Sequence, residues 1–293
     1  MPATPAMPAP TPTVPNPLHQ LVPSLKRLRL SGVLDTLEVR TQQAIAEQWS
    51  YGEFLTRLVQ DEVERRAHKI LDLRIRRSGV NTTKTLETFD FAFNTSVSRQ
   101  QVFDLATCEF VRRRRNVLLV GPTGVGKTHL AHALAHEAAR QGFDILCTTA
   151  HRMLTHIHAG RADGTHERRL AHYLRPPLLI VDDFGLKPLP PQGAADFYDV
   201  INERYERSSI VLTSNRAPDE WHELFGDPLL ASAGLDRLAH GATVLTITGR
   251  SYRLGGSAVA TDPASTTAPP PAAEGGVSVK RKNGKEVVPT PAA

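Results

Sequence analysis

From residue 18 to about 80 the apolar positions of the chain repeat at helical spacing. Leu21, Leu25 and Leu28 form a first short series, a second helical segment is expected near 33–47, and a longer helix follows. Ser50 and Glu53 stand at capping-box spacing at its start. Leu55, Val59, Val63, Ala67 and Ile70 then recur at three or four residues until Gly79, and this stripe predicts the core-facing side of the helix. Arg65, Lys69 and Arg76 form a separate stripe with Asp72 among them; it fits phosphate contact and an ordinary solvated face equally well.

Near residue 114 the pattern changes. Asn116 to Val120, Phe143 to Thr149, Leu178 to Asp182, Ser209 to Thr213 and Thr243 to Thr248 are short apolar runs, separated by stretches long enough for a helix. Alternation of this kind predicts an α/β fold with one five-stranded parallel sheet, preceded by a small all-α domain. Residues 1–17 (Pro, Ala, Thr) and 255–293 (Gly, Ala, Pro, Ser, Thr) are too poor in apolar residues to pack. The expected organisation is therefore a tail over 1–17, a helical domain over 18–84, a P-loop domain over 85–254 and a second tail over 255–293. Lys280, Arg281, Lys282 and Lys285 in that second tail suit either DNA contact or simple solubility.

Composition narrows the partners. The 293 residues, 40% hydrophobic, suffice for a sizeable core. No apolar run approaches a membrane span, and Met1 to Pro17 lacks the basic-then-apolar order of a signal peptide, so the expected address is the cytoplasm with no membrane partner. Cys108 and Cys147 form no Cys-x-x-Cys pair and are expected as buried small hydrophobes. A net charge of +5 favours an anionic partner such as nucleic acid.

The chemistry concentrates after the first strand. Gly121-Pro122-Thr123-Gly124-Val125-Gly126-Lys127-Thr128 is a phosphate-binding loop, whose glycines let successive N–H groups point at phosphate oxygens. Lys127 would set a charge on the β- and γ-phosphates, and Thr128 would offer a hydroxyl to Mg²⁺; His129 closes the segment expected to bind ATP. Asp182 ends the apolar strand Leu178 to Val181 and is expected in the Mg²⁺ shell. Asp183 follows as general base for the attacking water. Asn215, at the end of the strand from Ser209, is expected to sense that water or the γ-phosphate, against the alternative of a cap for the next segment. His129, His132 and His136 have metal-capable spacing, but with no nearby cysteine and no acidic third ligand apart from Glu137 they are expected on the outer face of their helix. Arg112 to Arg115 fit DNA contact or the negative end of the preceding helix.

These residues, with LATCEFVR from Leu105 to Arg112, LLIVDDFGLKPL from Leu178 to Leu189, VLTSN ending at Asn215, WHELFGDP from Trp221 to Pro228, LDRL from Leu235 to Leu238 and SYR ending at Arg253, resemble the IstB-like transposition helper ATPases. That family is related to the DnaC-type helicase loaders within the AAA+ superfamily, and the resemblance spans about residues 18 to 254. It implies a helical N-terminal domain joined to an AAA+ domain that assembles with ATP as a homo-oligomer on duplex DNA. By motif position Arg237 resembles an arginine finger serving the next subunit, and Arg253 a second sensor in its own. Phe89 and Phe91 resemble a linker folded over the adenine, or else pack between domains. The departures are the two tails and Gly193 and Ala194 after the second motif. The implied function is a DNA-binding ATPase that marks target DNA for the transposase of its insertion element, with a replicative helicase loader as the alternative. A small-molecule kinase would need lid arginines that have no match here, and a DNA-binding protein without hydrolysis would have no need of Lys127, Asp182 and Asp183 together.

Overall fold

The computed structural model describes residues 17–187, 189 and 192–255. Both tails, with the basic cluster from Lys280 to Lys285, lie outside the described residues. Three helices come first: α1 (Pro17–Arg27), α2 (Ser31–Ala46) and α3 (Tyr51–Ser78). Two short helices, α4 (Arg99–Ala106) and α5 (Glu109–Arg112), lead into β1 (Val117–Val120). The order then runs α6 (Lys127–Arg140), β2 (Ile145–Thr149), α7 (Ala150–Ala162), α8 (His166–Leu174), β3 (Leu178–Phe184), α9 (Gly193–Arg204) and β4 (Ser209–Ser214). It closes with α10 (His222–Phe225), α11 (Pro228–Ala239), β5 (Thr243–Thr246) and α12 (Tyr252–Gly255). Among the described residues, no helix is long and apolar enough to cross a membrane.

The sheet is five-stranded and parallel throughout, in the order β2-β3-β4-β1-β5. Its strands are nearly continuous apolar runs because both faces are covered. One face buries Val117, Leu119 and Ile180 against Leu130, Leu134 and Ala138 of α6; the other buries Leu118, Val120 and Leu179 with Met153, Phe197 and Trp221. The carboxyl ends of β1, β3 and β4 meet at the start of α6, which is where such a sheet presents ligand-binding loops.

The long helix behaves as its caps predict and not as its stripe predicts. Ser50 Oγ accepts the Glu53 N–H at 3.2 Å, and Gly79 ends the helix with φ 74°. Leu55, Val59, Val63 and Ile70, expected in the core, are 60%, 59%, 54% and 53% exposed. The packed face lies partly round the helix: Phe54 and Leu58 meet Val33 and Leu37 of α2, while Asp61 and Glu62 make the polar half of the seam. Arg40 grips Asp61 at 2.7 and 2.9 Å, and Glu62 Oε2 accepts the Gly32 N–H at 2.6 Å. Gly32 permits this closeness, since a Cβ there would fall 2.7 Å from the Glu62 Cα. A helix interface built half from charged residues has no apolar periodicity to betray it.

Further along, Leu71 and Ile75 of α3 pack on the main core, and Arg74 donates to Asp144 at 3.0 Å. The helical N-terminal region is thereby seated on the β2 side of the sheet. Arg65, offered as a phosphate contact, is paired with Asp35. In the run before β1, Arg112 donates to the Thr107 carbonyl, Arg113 to Glu109 and Arg114 to the Glu206 carbonyl. Cys108 is fully buried, which pushes its thiol up to about 11, and Cys147 is half-buried with its thiol raised for the same reason. Gly193 and Ala194 begin α9, with Gly193 buried.

Candidate nucleotide site

Between β1 and α6 the chain curls through Gly121 (φ 145°), Gly124 (φ 86°) and Gly126 (φ 105°). These glycines are required by space as well as by φ. A Cβ at Gly121 would run into the Ile247 carbonyl, at Gly124 into the Ser251 side chain, and at Gly126 would sit 2.8 Å from the Phe89 ring. Lys127 opens α6 and donates to the carbonyls of Gly121 and Pro122, both at 2.7 Å. Burial lowers its pKa, while Asp183 and Asp182 nearby hold it up.

Opposite the loop, β3 and β4 build an acidic edge. Asp182 is buried, and its Oδ1 accepts the Thr128 hydroxyl at 2.9 Å and the Thr213 hydroxyl as well. The register between β3 and β4 shifts between Val181 and Phe184, and within that bulge Asp183 takes φ 57°. Such a conformation is costly for a residue other than glycine. Its N–H is held by the Thr213 Oγ at 3.0 Å. Burial and the like charge of Asp182 raise the Asp183 pKa, against the pull of Lys127, Arg253 and Lys84. Lys127 and Asp183 thus oppose each other across one cavity, each partly offsetting the other's shift.

A cavity of about 550 Å³ lies over these groups. It gathers Thr123, Gly124, Val125, Gly126, Lys127, Thr128, His129, Asp182, Asp183, Asn215 and Arg253, all singled out from the sequence. Gly121 and Pro122 contribute through their carbonyls to Lys127 instead of lining it. Phe89 lines the cavity, whereas Phe91 stands behind it, packed on Phe89 and Phe103 at centroid distances of 4.8 and 6.2 Å. Arg237 is elsewhere: it sits on α11, donating to the Ala233 carbonyl at 2.9 Å with its guanidinium 5.6 Å from the Tyr198 ring centroid.

Several contributors escaped the sequence reading. Lys84, Asp90, Phe93, Asn94 and Tyr252 line the cavity, with Phe93 edge-on to Tyr252 at 4.9 Å. Asn94 donates to the Val125 carbonyl at 3.1 Å and so clamps the loop. Thr213 has a single hint in the sequence, a hydroxyl one residue before Ser214-Asn215.

The three histidines of α6 also require correction, since they do not form an outer face. His129 Nε2 meets the Thr85 carbonyl at 2.8 Å, His132 Nδ1 accepts the Asn81 N–H at 3.2 Å, and the buried His136 reaches the Asn81 carbonyl at 3.0 Å. They fasten the strap of residues 81–93 that joins α3 to the cavity. Lys84, Thr88, Phe89, Asp90 and Phe93 all reach the cavity from that strap.

The parallel sheet, the glycine cradle and the acidic strand end define the class of P-loop proteins. Within that class the chain belongs to the IstB-like ATP binding protein family, which matches residues 23–260. A relative from Pseudomonas aeruginosa, named as an ATP-binding protein of insertion sequence IS21, is 38% identical over 237 residues, covering 81% of this chain and 89% of its own. A relative from Geobacillus stearothermophilus, named for insertion sequence IS5376, is 36% identical over 228 residues, covering 78% and 91%. Among solved structures, DnaI superposes with a TM-score of 0.50 at 21% identity, over 58% of this chain and 96% of that one, which speaks for the shared fold.

Proposed function

We propose that this chain binds ATP with Mg²⁺, hydrolyses it, assembles with further copies on duplex DNA, and there assists the transposase of its insertion element in choosing a target. The observation that carries the reading is the joint placement of the cradle, Lys127 and the Thr128–Asp182–Thr213 hydrogen-bond chain on one cavity. The donor set suits the metal: a hydroxyl and a carboxylate are hard oxygen ligands beside a phosphate cradle. Thr128 and Asp182 would hold Mg²⁺, which supplies charge neutralisation at the phosphate oxygens.

The chain's own groups would divide the rest. The glycine loop N–H groups and the start of α6 seat the phosphates, with Lys127 moving from its two carbonyl partners to the anion. Asp183 takes the proton of the attacking water, Asn215 orients that water, and Arg253 adds positive charge in the same subunit. Arg237 lies outside its own cavity, as a residue serving a neighbouring copy must, and is committed to no carboxylate among the described residues. Supplying that guanidinium from a neighbour would make hydrolysis depend on assembly.

The test is phosphate release from ATP with and without duplex DNA. Wild type should be stimulated by DNA, and Lys127→Ala should lose about 100-fold or more. Arg237→Ala and Asp183→Ala, each inactive alone, should recover activity when mixed, because one subunit type keeps the base and the other the finger. Wild-type rates for Arg237→Ala at every protein concentration would reject the role in trans.

A further inference from the structure

Several arginines of this protein already have a carboxylate: Arg40 has Asp61, Arg65 has Asp35, Arg113 has Glu109 and Arg140 has Glu137. Two that have none among the described residues, Arg168 and Arg175, share a groove between α7 and α8, the helices inserted between β2 and β3. It is about 420 Å³ in volume and is lined by His156, Arg168, Arg169, His172 and Arg175, with no acid on its walls. The buried sides of both helices are held by Met153, Leu154, Ile157, Leu170 and Tyr173, so the groove rests on a rigid base.

Its members fall into two groups. Arg169 is structural: it donates to Asp163 at 2.6 Å, to the Thr165 hydroxyl at 2.8 Å and to the His156 carbonyl at 3.0 Å, tying α7 to α8. Arg168 and Arg175 have neither hydrogen bond nor ion pair from their side chains among the described residues, and both are exposed. Together with His172 they recur four and three residues apart, on one face of α8 and its C-terminal end. The only acid within α8, Glu167, stands beside His166. His156 spends Nδ1 on the Tyr173 hydroxyl at 2.9 Å, leaving Nε2 without a partner among the described residues.

We propose that this α7–α8 groove carries the backbone of duplex DNA, with Arg168, Arg175, His156 and His172 as its phosphate contacts. The proposal rests on the reading of the chain as a DNA-binding ATPase and gives that reading a surface. From Arg168 to Arg175 the row runs about 10 Å at the helical rise, long enough to reach more than one phosphate of a single strand. An open row of long cations suits a polymer passing over it better than a small phosphate enclosed on all sides.

The imidazoles add a condition. His156 is faced by Arg152 from its own helix, by Arg169, His172 and Tyr173 from α8, and by Asp163 from the turn between them. Burial, then the cations Arg169, His172 and Arg152, hold its pKa below the usual histidine value, with Asp163 opposing. A phosphodiester set into the groove offsets those cations and favours the imidazolium, so binding takes up a proton and tightens as pH falls.

The experiment measures affinity of the full chain for fluorescent duplex DNA, with Mg²⁺ and a non-hydrolysable ATP analogue, across a salt series. Arg168→Ala/Arg175→Ala should bind more weakly and lower the slope of log affinity against log salt by about 1.8, two phosphates' worth. Arg207→Ala, on an arginine paired with Glu203 in the turn after α9, should leave the slope unchanged. His156→Gln/His172→Gln should lose the tightening that wild type shows between about pH 8 and about pH 6, and this second arm does not depend on the arginine variant folding. Wild type without affinity for DNA at low salt would overturn the functional reading itself. Wild-type binding with an unchanged salt slope in the arginine variant, or a loss confined to single-stranded DNA, would overturn the groove alone.

Discussion

Thr213 shows how much of the site hangs on one hydroxyl. Its proton goes to Asp182 and its oxygen receives the Asp183 N–H, so a single side chain fixes the carboxylate proposed to hold Mg²⁺ and the strained backbone of the proposed base. Thr213→Val keeps the shape and removes both bonds; kcat should fall about tenfold or more with a smaller change in KM, as expected when a base is misplaced. The pH profile adds a sign. The base must be deprotonated to act, and the Asp183 pKa is raised by burial and by Asp182, so kcat/KM should decline on acidification at a higher pH than an ordinary carboxylate would give. Measured in Asp183→Asn, that acid limb should vanish along with most of the activity. Asp182 and Asp183 were legible because an apolar strand runs straight into them. Thr213 was not, since within a strand a β-branched hydroxyl is as good a packing residue as a ligand.

Helix α3 and the strap behind it belong to the next scale. Periodicity located the helix and its caps, yet it selected the wrong face, because α2 meets α3 through Asp61 and Glu62 as much as through Leu58. Stability measurements should separate the two faces. Leu58→Ala should cost about 2–3 kcal/mol, whereas Val59→Ser with Val63→Ser should stay within about 0.5 kcal/mol per site. Equal losses at both faces would restore the stripe as core. The Arg40–Asp61 pair gives this seam an acid limit. Asp61 is held down at about 2 by the Arg40 guanidinium, so its contribution is fully present above the ordinary carboxylate range and is lost as pH falls towards about 2. For the strap, burial lowers the His132 pKa, and its Nδ1 must stay unprotonated to accept the Asn81 N–H. That bond is present above the unfolded histidine pKa and fails as pH drops through the lowered one. Hydrogen exchange at the Asn81 amide, expressed as a protection factor, should therefore fall on acidification and fall throughout in His132→Ala. The histidines' partners are some fifty residues earlier in sequence, a long-range pairing that no local pattern encodes.

Across the whole molecule, the strap of residues 81–93 runs from the end of α3 to the cradle and the cavity. The five parallel strands and the position of the loop followed from the alternation of apolar runs and helix-length gaps, because a parallel sheet needs both; the strand order β2-β3-β4-β1-β5 came from the structure alone. The placement of Arg237 away from its own cavity was implied only by family likeness, and nothing local to α11 announces it. All of this depends on the cradle receiving a nucleotide. Calorimetric titration of the folded wild-type chain with ATP and Mg²⁺ at low salt tests it most directly. The account predicts saturable binding near one nucleotide per chain, weakened about tenfold or more in Lys127→Ala; a folded wild-type chain that takes up no Mg·ATP, or a Lys127→Ala chain that binds it equally well, would contradict it.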